Sequence, residues 1–382
     1  MTTRNLSILL LAGAILVWAC MAPRADGIPY LARKYKMECG ACHVIPPKLN
    51  EVGEKFLANG YRFPGKPSVA KALPLSVWAS WRGERDIVIN RGRGIPNRVE
   101  IISAGPIGKS SAFYFVEWLP VSQQRNAANQ RVQRHGRFED LFVSVPLGRV
   151  QLTVGQYRQI TQVDVSRRLS LSEPLAFSAG LAGPTALSGR LTSLRSFSLS
   201  GRSPAIRVST HWRRGKDSAD GWYALATVPL AGEFVIPLTE QVRRTQGFAF
   251  ELRPKGVVLE SYYRRGLNTI GAHAFLGDER RFFGLVGAVN RGPFFSTLAL
   301  GFARERTGQR HTRISWENEW IPLRWMALGL RLDDRTGANR PVAVVPYFNA
   351  MFPLTSYTFR FTVEHRQQRG TREWLLELGA VF

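Results

Sequence analysis

The sequence is poor in cysteine and, beyond its first twenty residues, contains no long apolar run. Cys20, Cys39 and Cys42 are the only cysteines in 382 residues, which excludes a fold held by several disulfides. No later run approaches the ~20 apolar residues of a membrane-spanning helix. Also missing are a glycine-rich phosphate loop, a nucleophile elbow and a second cluster of metal-ligand residues, so nothing points to a hydrolase.

Acidic residues are also scarce, and the first residues resemble a secretory signal. There are 28 Asp and Glu against 52 Lys and Arg, a formal net charge of +24. Arg4 precedes an apolar run over 6–19, and small residues follow, with cleavage expected after Ala22 or Ala25. Residues 16–20 loosely resemble a lipoprotein box ending at Cys20. We therefore predict a signal peptide over 1–25 and an exported chain, for which nucleic acid is a poor partner.

Near the start of the predicted mature chain lies the motif Cys39-Gly40-Ala41-Cys42-His43. In a C-x-x-C-H motif two thiols add across the vinyl groups of haem, and the adjacent histidine faces the iron. A redox dithiol would need a βαβ unit around it, and a zinc site would need further nearby ligands. Neither is found. We predict one covalent haem c on Cys39 and Cys42, with His43 as its axial iron ligand.

The residues after the motif predict a short helix that supports the haem. It opens at Pro46-Pro47, runs to about Asn59 and ends at Gly60. Its apolar face packs on the porphyrin or forms a small core. The segment is too short to enclose a haem unaided, so the rest of the chain must shield it. The distal ligand stays open among Met37, Met326, Met351, His135, His211, His273, His311 and His365.

From about Leu73 onward, two-residue alternation replaces the helical period. Apolar stripes recur opposite charged residues, among them Arg207, Arg313 and Arg360. A soluble sandwich and a membrane barrel both show this pattern, and three features favour the barrel. The candidate strands are about ten residues long, and the chain ends with Phe382 on an amphipathic strand. Aromatic residues also lie near predicted strand ends: Trp320, Trp325, Tyr347, Phe352, Tyr357 and Trp374.

Seventeen candidate strands are visible, and since single-chain barrels use an even number, we predict about sixteen. They lie near 76–83, 98–105, 111–118, 138–146, 149–157, 204–212, 221–228, 245–253, 256–264, 269–276, 281–290, 294–304, 311–320, 323–332, 341–350, 356–366 and 371–382. Residues 159–203 read as long loops. The predicted fold is all-β: an antiparallel transmembrane barrel over 71–382, preceded by a monohaem cytochrome c segment over 26–70.

These features together resemble the outer-membrane cytochrome–porin fusions, which include iron-oxidising monohaem cytochromes. The resemblance rests on Ala32-Arg33-Lys34-Tyr35, the motif over 39–43, Pro47-Lys48-Leu49-Asn50, Gly53-Glu54, Phe56 and Asn59-Gly60-Tyr61-Arg62-Phe63-Pro64, and extends more loosely to Val154-Gly155-Gln156-Tyr157 and the terminal Phe382. Residue by residue it carries over only Cys39, Cys42 and His43. It implies that the haem segment plugs the barrel.

The resemblance also implies a function. Electrons would pass from an extracellular reductant, with Fe(II) the leading candidate, to a periplasmic cytochrome or other electron acceptor, across outer-membrane lipid. Two alternatives stay open at this point. One is an anion-selective outer-membrane porin whose haem segment is structural. The other is a soluble periplasmic monohaem electron-transfer protein.

Overall fold

The computed structural model describes residues 29–63, 74–86, 91–125, 131–161, 168–172, 176, 202–215, 217–232, 234, 250–254, 256–277, 280–305, 308, 310–335, 342–353, 358–368 and 371–381. The predicted signal peptide, the segment boundary near residue 70 and the terminal Phe382 lie outside them. Within these ranges, no helix has both the length and the apolar character needed to cross a membrane.

The N-terminal segment, residues 29–63, contains the short helices. Helix α1 covers Pro29–Tyr35 and is followed by a 3₁₀ turn over Cys39–Ala41. A small hairpin joins β1 (His43–Ile45) to β2 (Lys48–Leu49), and α2 covers Glu51–Ala58. The prediction that the helix opens at Pro46-Pro47 is wrong, because those prolines form the turn of the hairpin and Asn50 caps the helix that follows.

The remaining strands are long and follow one another around a single sheet. They are β3 (Ser76–Asp86), β4 (Arg91–Pro106), β5 (Phe113–Arg125), β6 (Arg131–Leu147), β7 (Val150–Arg158), β8 (Arg202–Arg213), β9 (Gly221–Gly232), β10 (Phe250–Pro254), β11 (Val257–Arg265), β12 (Asn268–Leu276), β13 (Arg280–Arg291), β14 (Phe294–Glu305), β15 (Arg310–Leu323), β16 (Met326–Arg335), β17 (Ala343–Pro353), β18 (Thr358–Gln368) and β19 (Thr371–Val381).

The sheet closes on itself as an antiparallel barrel. Sequential neighbours pair, and β19 pairs with β3 through registers such as Ala380 with Ala79. Both β10 and β11 run antiparallel to β9, one beyond the other. They are therefore two pieces of one strand, and the described residues form a sixteen-stranded barrel, as predicted. Treating 245–253 and 256–264 as separate strands was wrong.

A local interruption separates these two pieces. Pro254 has no N–H to donate to the ladder, and Gly256 adopts φ 137°, a conformation that favours glycine. The register against β9 shifts between Glu251 and Pro254. Such an irregularity is a bulge that bends a strand without ending it.

The barrel has its polar side chains inside and its apolar side chains outside. On β15, Arg313 and Glu317 are 1% and 6% exposed, whereas the alternating Trp316 is 46% exposed. Arg207 is also buried and its neighbours Ile206 and Val208 are exposed. This arrangement is the reverse of a soluble sandwich, since an outward apolar band suits lipid. The sandwich alternative is therefore wrong.

Of the six predicted aromatic positions, two lie on the outer face as expected and one does not. Trp320 and Trp374 lie outward and are exposed. Tyr347 instead faces the lumen, where its hydroxyl donates to Glu317 Oε1 (2.9 Å) and Glu319 Oε1 (3.0 Å). The prediction that Tyr347 belongs to an outer aromatic girdle was wrong. Side chains alternate between the two faces along β17, and Tyr347 falls on the inner face. Tyr357 lies outside the described residues.

The two ends of the barrel differ in their connections. At one end, which we call the short-turn end, residues 107–112, 148–149, 214–220, 266–267, 292–293 and 324–325 join successive strands. Gly148 and Gly292 adopt φ 67° and 60° in two of these turns, which favours glycine there. At the other end, the long-loop end, residues 159–201 separate β7 from β8, the region predicted to contain long loops.

Candidate haem-binding site

The two motif cysteines lie on one tight turn. The N–H of Ala41 donates to the Glu38 carbonyl and that of Cys42 to the Cys39 carbonyl, each at 3.0 Å. Cys39 is buried and Cys42 is partly buried. Burial raises the pKa of the Cys42 thiol to about 11, so it remains protonated at neutral pH. The turn brings both cysteines together, as addition to the two vinyl groups of one haem requires.

The ring of His43 is oriented by the small hairpin. Its Nδ1 lies 3.2 Å from the carbonyl oxygen of Pro47. Because a carbonyl only accepts, Nδ1 is the donor and Nε2 holds the lone pair, the tautomer that a ligand to iron needs. Burial lowers the pKa of His43 to about 4, against the opposing effect of hydrogen bonds to the Pro47 and Lys48 backbone. The imidazole is thus neutral at neutral pH, and the donor set fits haem c.

Asn50 joins the motif turn to α2. Its side-chain amide donates to the carbonyls of Gly40 (3.2 Å) and Ala41 (3.1 Å), and its own N–H donates to the Cys42 carbonyl (2.9 Å). Its Oδ1 accepts from the N–H of Gly53 (3.0 Å), which caps the helix. One side chain therefore sets the position of the helix relative to both cysteines.

The close approach of α2 to the motif turn requires a glycine at position 53. A methyl group there would overlap the carbonyl oxygen of Cys42 and press on Leu49. We expect Gly53→Ala to displace α2 from the motif turn, destabilise the segment by about 1–3 kcal/mol and lower haem incorporation. Absorbance of the haem per protein measures this. Gly287→Ala is the control, since a methyl group at Gly287 meets nothing within 4 Å. Equal haem content in both variants would contradict the expectation.

The N-terminal segment lies in the lumen at the short-turn end, where charged side chains of the wall hold it. Glu54 of α2 forms a buried ion pair with Arg264 of β11, and Lys48 pairs with Glu319 of β15. Arg213 Nη1 also donates to the side-chain oxygen of Asn59 at 3.0 Å. These contacts join the segment to three separate strands of the wall, as a plug requires.

An aromatic cluster continues from the segment onto the wall. Within the segment the rings of Phe56 and Phe63 stack at 4.4 Å. Tyr61 stacks on Phe115 of β5 at 6.0 Å. Phe115 then stacks on Phe142 at 5.9 Å, and Phe142 lies edge-on to Tyr157 of β7 at 5.7 Å. Packed rings therefore extend from the N-terminal segment along the inner wall.

The segment also meets a part of the long β7–β8 connection. Residues 168–172, which we call the inward segment, fold into the lumen and bond to the wall. Asn349 Nδ2 donates to the Leu169 carbonyl at 2.7 Å, and Glu364 accepts from the N–H of Leu171 at 2.6 Å. Leu169 and Ile45 share one apolar cluster and are both 0% exposed. The N-terminal segment from the short-turn end and the inward segment from the long-loop end thus come together inside the barrel.

The structure places Cys39, Cys42 and His43 together at the motif turn. The candidates for the distal ligand lie in different parts of the barrel. Met351 shares the cluster that contains Ile45, whereas Met37 packs on the aromatic cluster. His273 faces the lumen from β12, while His365 stacks outward on Trp374 and is thus turned away from the segment. In the described ranges no group of three or more His, Cys, Asp or Glu could form a separate metal site.

Sequence reasoning missed three functional contributors. Helix α1 carries Pro29 at its first position and basic residues in its last turn, both ordinary helix signals. The capping role of Asn50 follows from its place before an acidic first turn. The Glu54–Arg264 pair left no sequence signal, because its partners are 210 residues apart.

Comparisons with known proteins identify the fold and no family. No protein-family model matches the chain, and no curated protein matches it. Among solved structures it is similar to OmpF of Salmonella typhi in complex with daunomycin, with 9% identity, 81% of this chain and 97% of that chain covered, and a TM-score of 0.50. An anion-selective porin from Comamonas acidovorans matches with 10% identity, 80% and 98% coverage, and a TM-score of 0.49. The chain has a porin-like barrel.

Proposed function

We propose that this protein is an outer-membrane c-type cytochrome of the cytochrome–porin kind, which conducts electrons from extracellular Fe(II) to a periplasmic carrier. One observation carries the proposal: a C-x-x-C-H turn, with the ring of its histidine oriented by a backbone carbonyl, is held inside the lumen of a barrel with an apolar outer wall. Haem bound to Cys39, Cys42 and His43 would supply a one-electron redox centre at that place.

The short-turn end is assigned to the periplasm, because barrels of this kind have short periplasmic turns and longer extracellular loops. The N-terminal segment then lies on the periplasmic side. The barrel wall shields it from lipid, which answers the difficulty that so short a segment cannot enclose a haem alone. Glu54–Arg264 and Lys48–Glu319 keep its position relative to the wall constant.

The lumen above the segment contains packed side chains, which favours electron transfer over bulk transport. The apolar cluster that contains Ile45 and Leu169 and the ring series from Tyr61 to Tyr157 replace open space with protein atoms. Electron tunnelling is more efficient through packed protein than across an empty gap. Each Fe(II) would become Fe(III) by losing one electron, and the periplasmic acceptor would gain that electron.

The alternative of an anion-selective porin rests on the inward arginines, but two of these are already bonded to the protein. Arg207 donates to Thr227 Oγ1 (2.9 Å) and to the Arg158 carbonyl (2.8 Å). Arg360 donates to Asn349 Oδ1 and to the Leu169 carbonyl, both at 3.0 Å. Donors committed in this way offer little to a passing anion. A large open anion current of the haem-loaded protein in planar bilayers would nevertheless establish the porin.

The proposed function is tested in liposomes that contain the haem-loaded protein and enclose ferricyanide. Fe(II) added outside, without oxygen, should produce the reduced haem band and bleach the enclosed ferricyanide at matching rates. Empty liposomes and liposomes with the Cys39→Ser, Cys42→Ser variant control for leakage. If the haem stays oxidised under Fe(II) while dithionite reduces it, iron is not the donor. If the haem is reduced but ferricyanide persists, the protein does not conduct across the membrane.

A further inference from the structure

We propose that the short-turn end is a docking surface for an acidic soluble electron carrier, centred on the C-x-x-C-H turn. The inference rests on the proposed function and names the chemistry of the partner. Positive charge predominates among the exposed side chains on the N-terminal segment, on the described turns and on the strand residues beside them. The basic ones are Arg33, Lys36, Lys55, Lys109, Arg149, Arg214, Arg265, Arg291 and Arg324, and the acidic ones are Glu38, Glu51 and Asp217.

The positive charge reaches the motif itself. A methyl group on Gly40, the exposed residue between the two cysteines, would lie 3.4 Å from Nη1 of Arg324. Lys36 comes three residues before Cys39 and is exposed, as is Lys55 on α2. We call Lys36, Lys55 and Arg324 the central cations. A partner that approaches the motif turn closely must therefore come into the field of these three cations.

Membrane lipid is a poorer match to this surface than a protein. Arg149, Arg265 and Arg291, the rim cations, belong to strand ends or their turns, where phospholipid headgroups can reach them. Lys36 and Lys55 belong to the N-terminal segment, which the wall surrounds: Glu54, next to Lys55, pairs with Arg264 on the inner face of β11. Headgroups outside the barrel do not reach these positions, whereas a carrier arriving from the periplasm does.

Opposite charge suits the transient contact that electron carriers make. Complementary fields speed encounter and orient the partner, while the exposed pairs themselves stay weak enough to release it. The attraction must weaken as salt rises, because the Debye length is about 10 Å at 0.1 M ionic strength. The structure thus predicts an acidic partner whose binding is fast and salt-sensitive.

The test uses the full-length haem-loaded protein in nanodiscs and two forms of one probe. Mitochondrial cytochrome c is basic, and succinylation of its lysines makes it acidic without replacing its redox group. We expect surface plasmon resonance to show binding of the succinylated form at low salt, loss of that binding as salt rises, and no binding of the unmodified form. Reversing the central cations with Lys36→Glu, Lys55→Glu and Arg324→Glu should weaken binding at least about tenfold.

The matched control reverses the rim cations with Arg149→Glu, Arg265→Glu and Arg291→Glu, which changes the net charge equally. We expect less than about a threefold loss from it. Equal losses in both variants would show that only the overall charge attracts the probe and would overturn the docking surface. Binding to empty anionic nanodiscs, or preference for the unmodified probe, would overturn it as well. Probe binding tests the docking surface, and haem absorbance tests the proposed function. A protein without haem would therefore contradict the proposed function, whatever the binding result.

Discussion

The Cys39→Ser, Cys42→Ser variant should carry no covalently attached haem and still form its barrel. Without thiols, no thioether forms, and His43 alone does not retain haem through denaturation. The closed strand ladder does not involve the motif turn. We expect the haem-peroxidase stain on a denaturing gel to disappear. The heat-dependent shift in gel mobility that reports a folded barrel should persist.

The third cysteine provides the matched control for this variant. Cys20 lies in the predicted signal peptide, so Cys20→Ser should leave the haem stain unchanged. A stained band that survives the double substitution would show that haem is attached elsewhere. Loss of the barrel together with the stain would show that the motif turn is needed for folding, which the separation of turn and strands does not predict.

Removing Arg264 should release the N-terminal segment from the wall. The Arg264→Ala variant removes the cation that pairs with the buried Glu54 carboxylate, and breaking a buried pair in this way costs about 3–5 kcal/mol. We expect proteolysis within residues 29–63 to begin at clearly lower urea concentration than in the wild type. Gel fragments identified by mass spectrometry report where cleavage occurs.

Arg265 offers a control one residue away. Its side chain is exposed and lies on the outer face of β11, away from the N-terminal segment. Arg265→Ala should therefore leave the urea dependence of proteolysis unchanged. The Glu54→Gln, Arg264→Met double variant should recover part of the lost protection, because it removes the buried charge of Glu54 together with that of Arg264. If Arg264→Ala digests like the wild type, the ion pair does not hold the segment in the lumen.

The barrel was predictable because its signal is local. Charged residues of the strands lie mainly on the inner face and exposed apolar residues on the outer face, so the alternation along β15 places Arg313 inside and Trp316 outside. Gly256 and Pro254 show where such reasoning ends. Both read as strand boundaries in the sequence, yet pairing with β9 makes them a bulge inside one strand. Register against a neighbour decides this, and register is not visible in a single strand.

For the candidate site, the sequence predicted the haem-attachment residues but not the contacts that surround them. The spacing of Cys39, Cys42 and His43 suffices to predict haem attachment, which stays a prediction until it is measured. The surroundings of these residues depend on contacts between distant parts of the chain. The closure of the barrel brings Ile45 and Leu169 into one apolar cluster and pairs Glu54 with Arg264. Tyr347 likewise turned out to bind two luminal carboxylates, which its aromatic character alone does not reveal.

The central claim is that haem is attached to this chain inside the barrel, and intact-mass spectrometry of the mature protein tests it directly. The protein is produced in a host competent in cytochrome maturation, and its absorption spectrum is recorded before mass analysis. We predict the polypeptide mass increased by one haem, together with a Soret band. A polypeptide of unmodified mass with no Soret absorption would contradict the account.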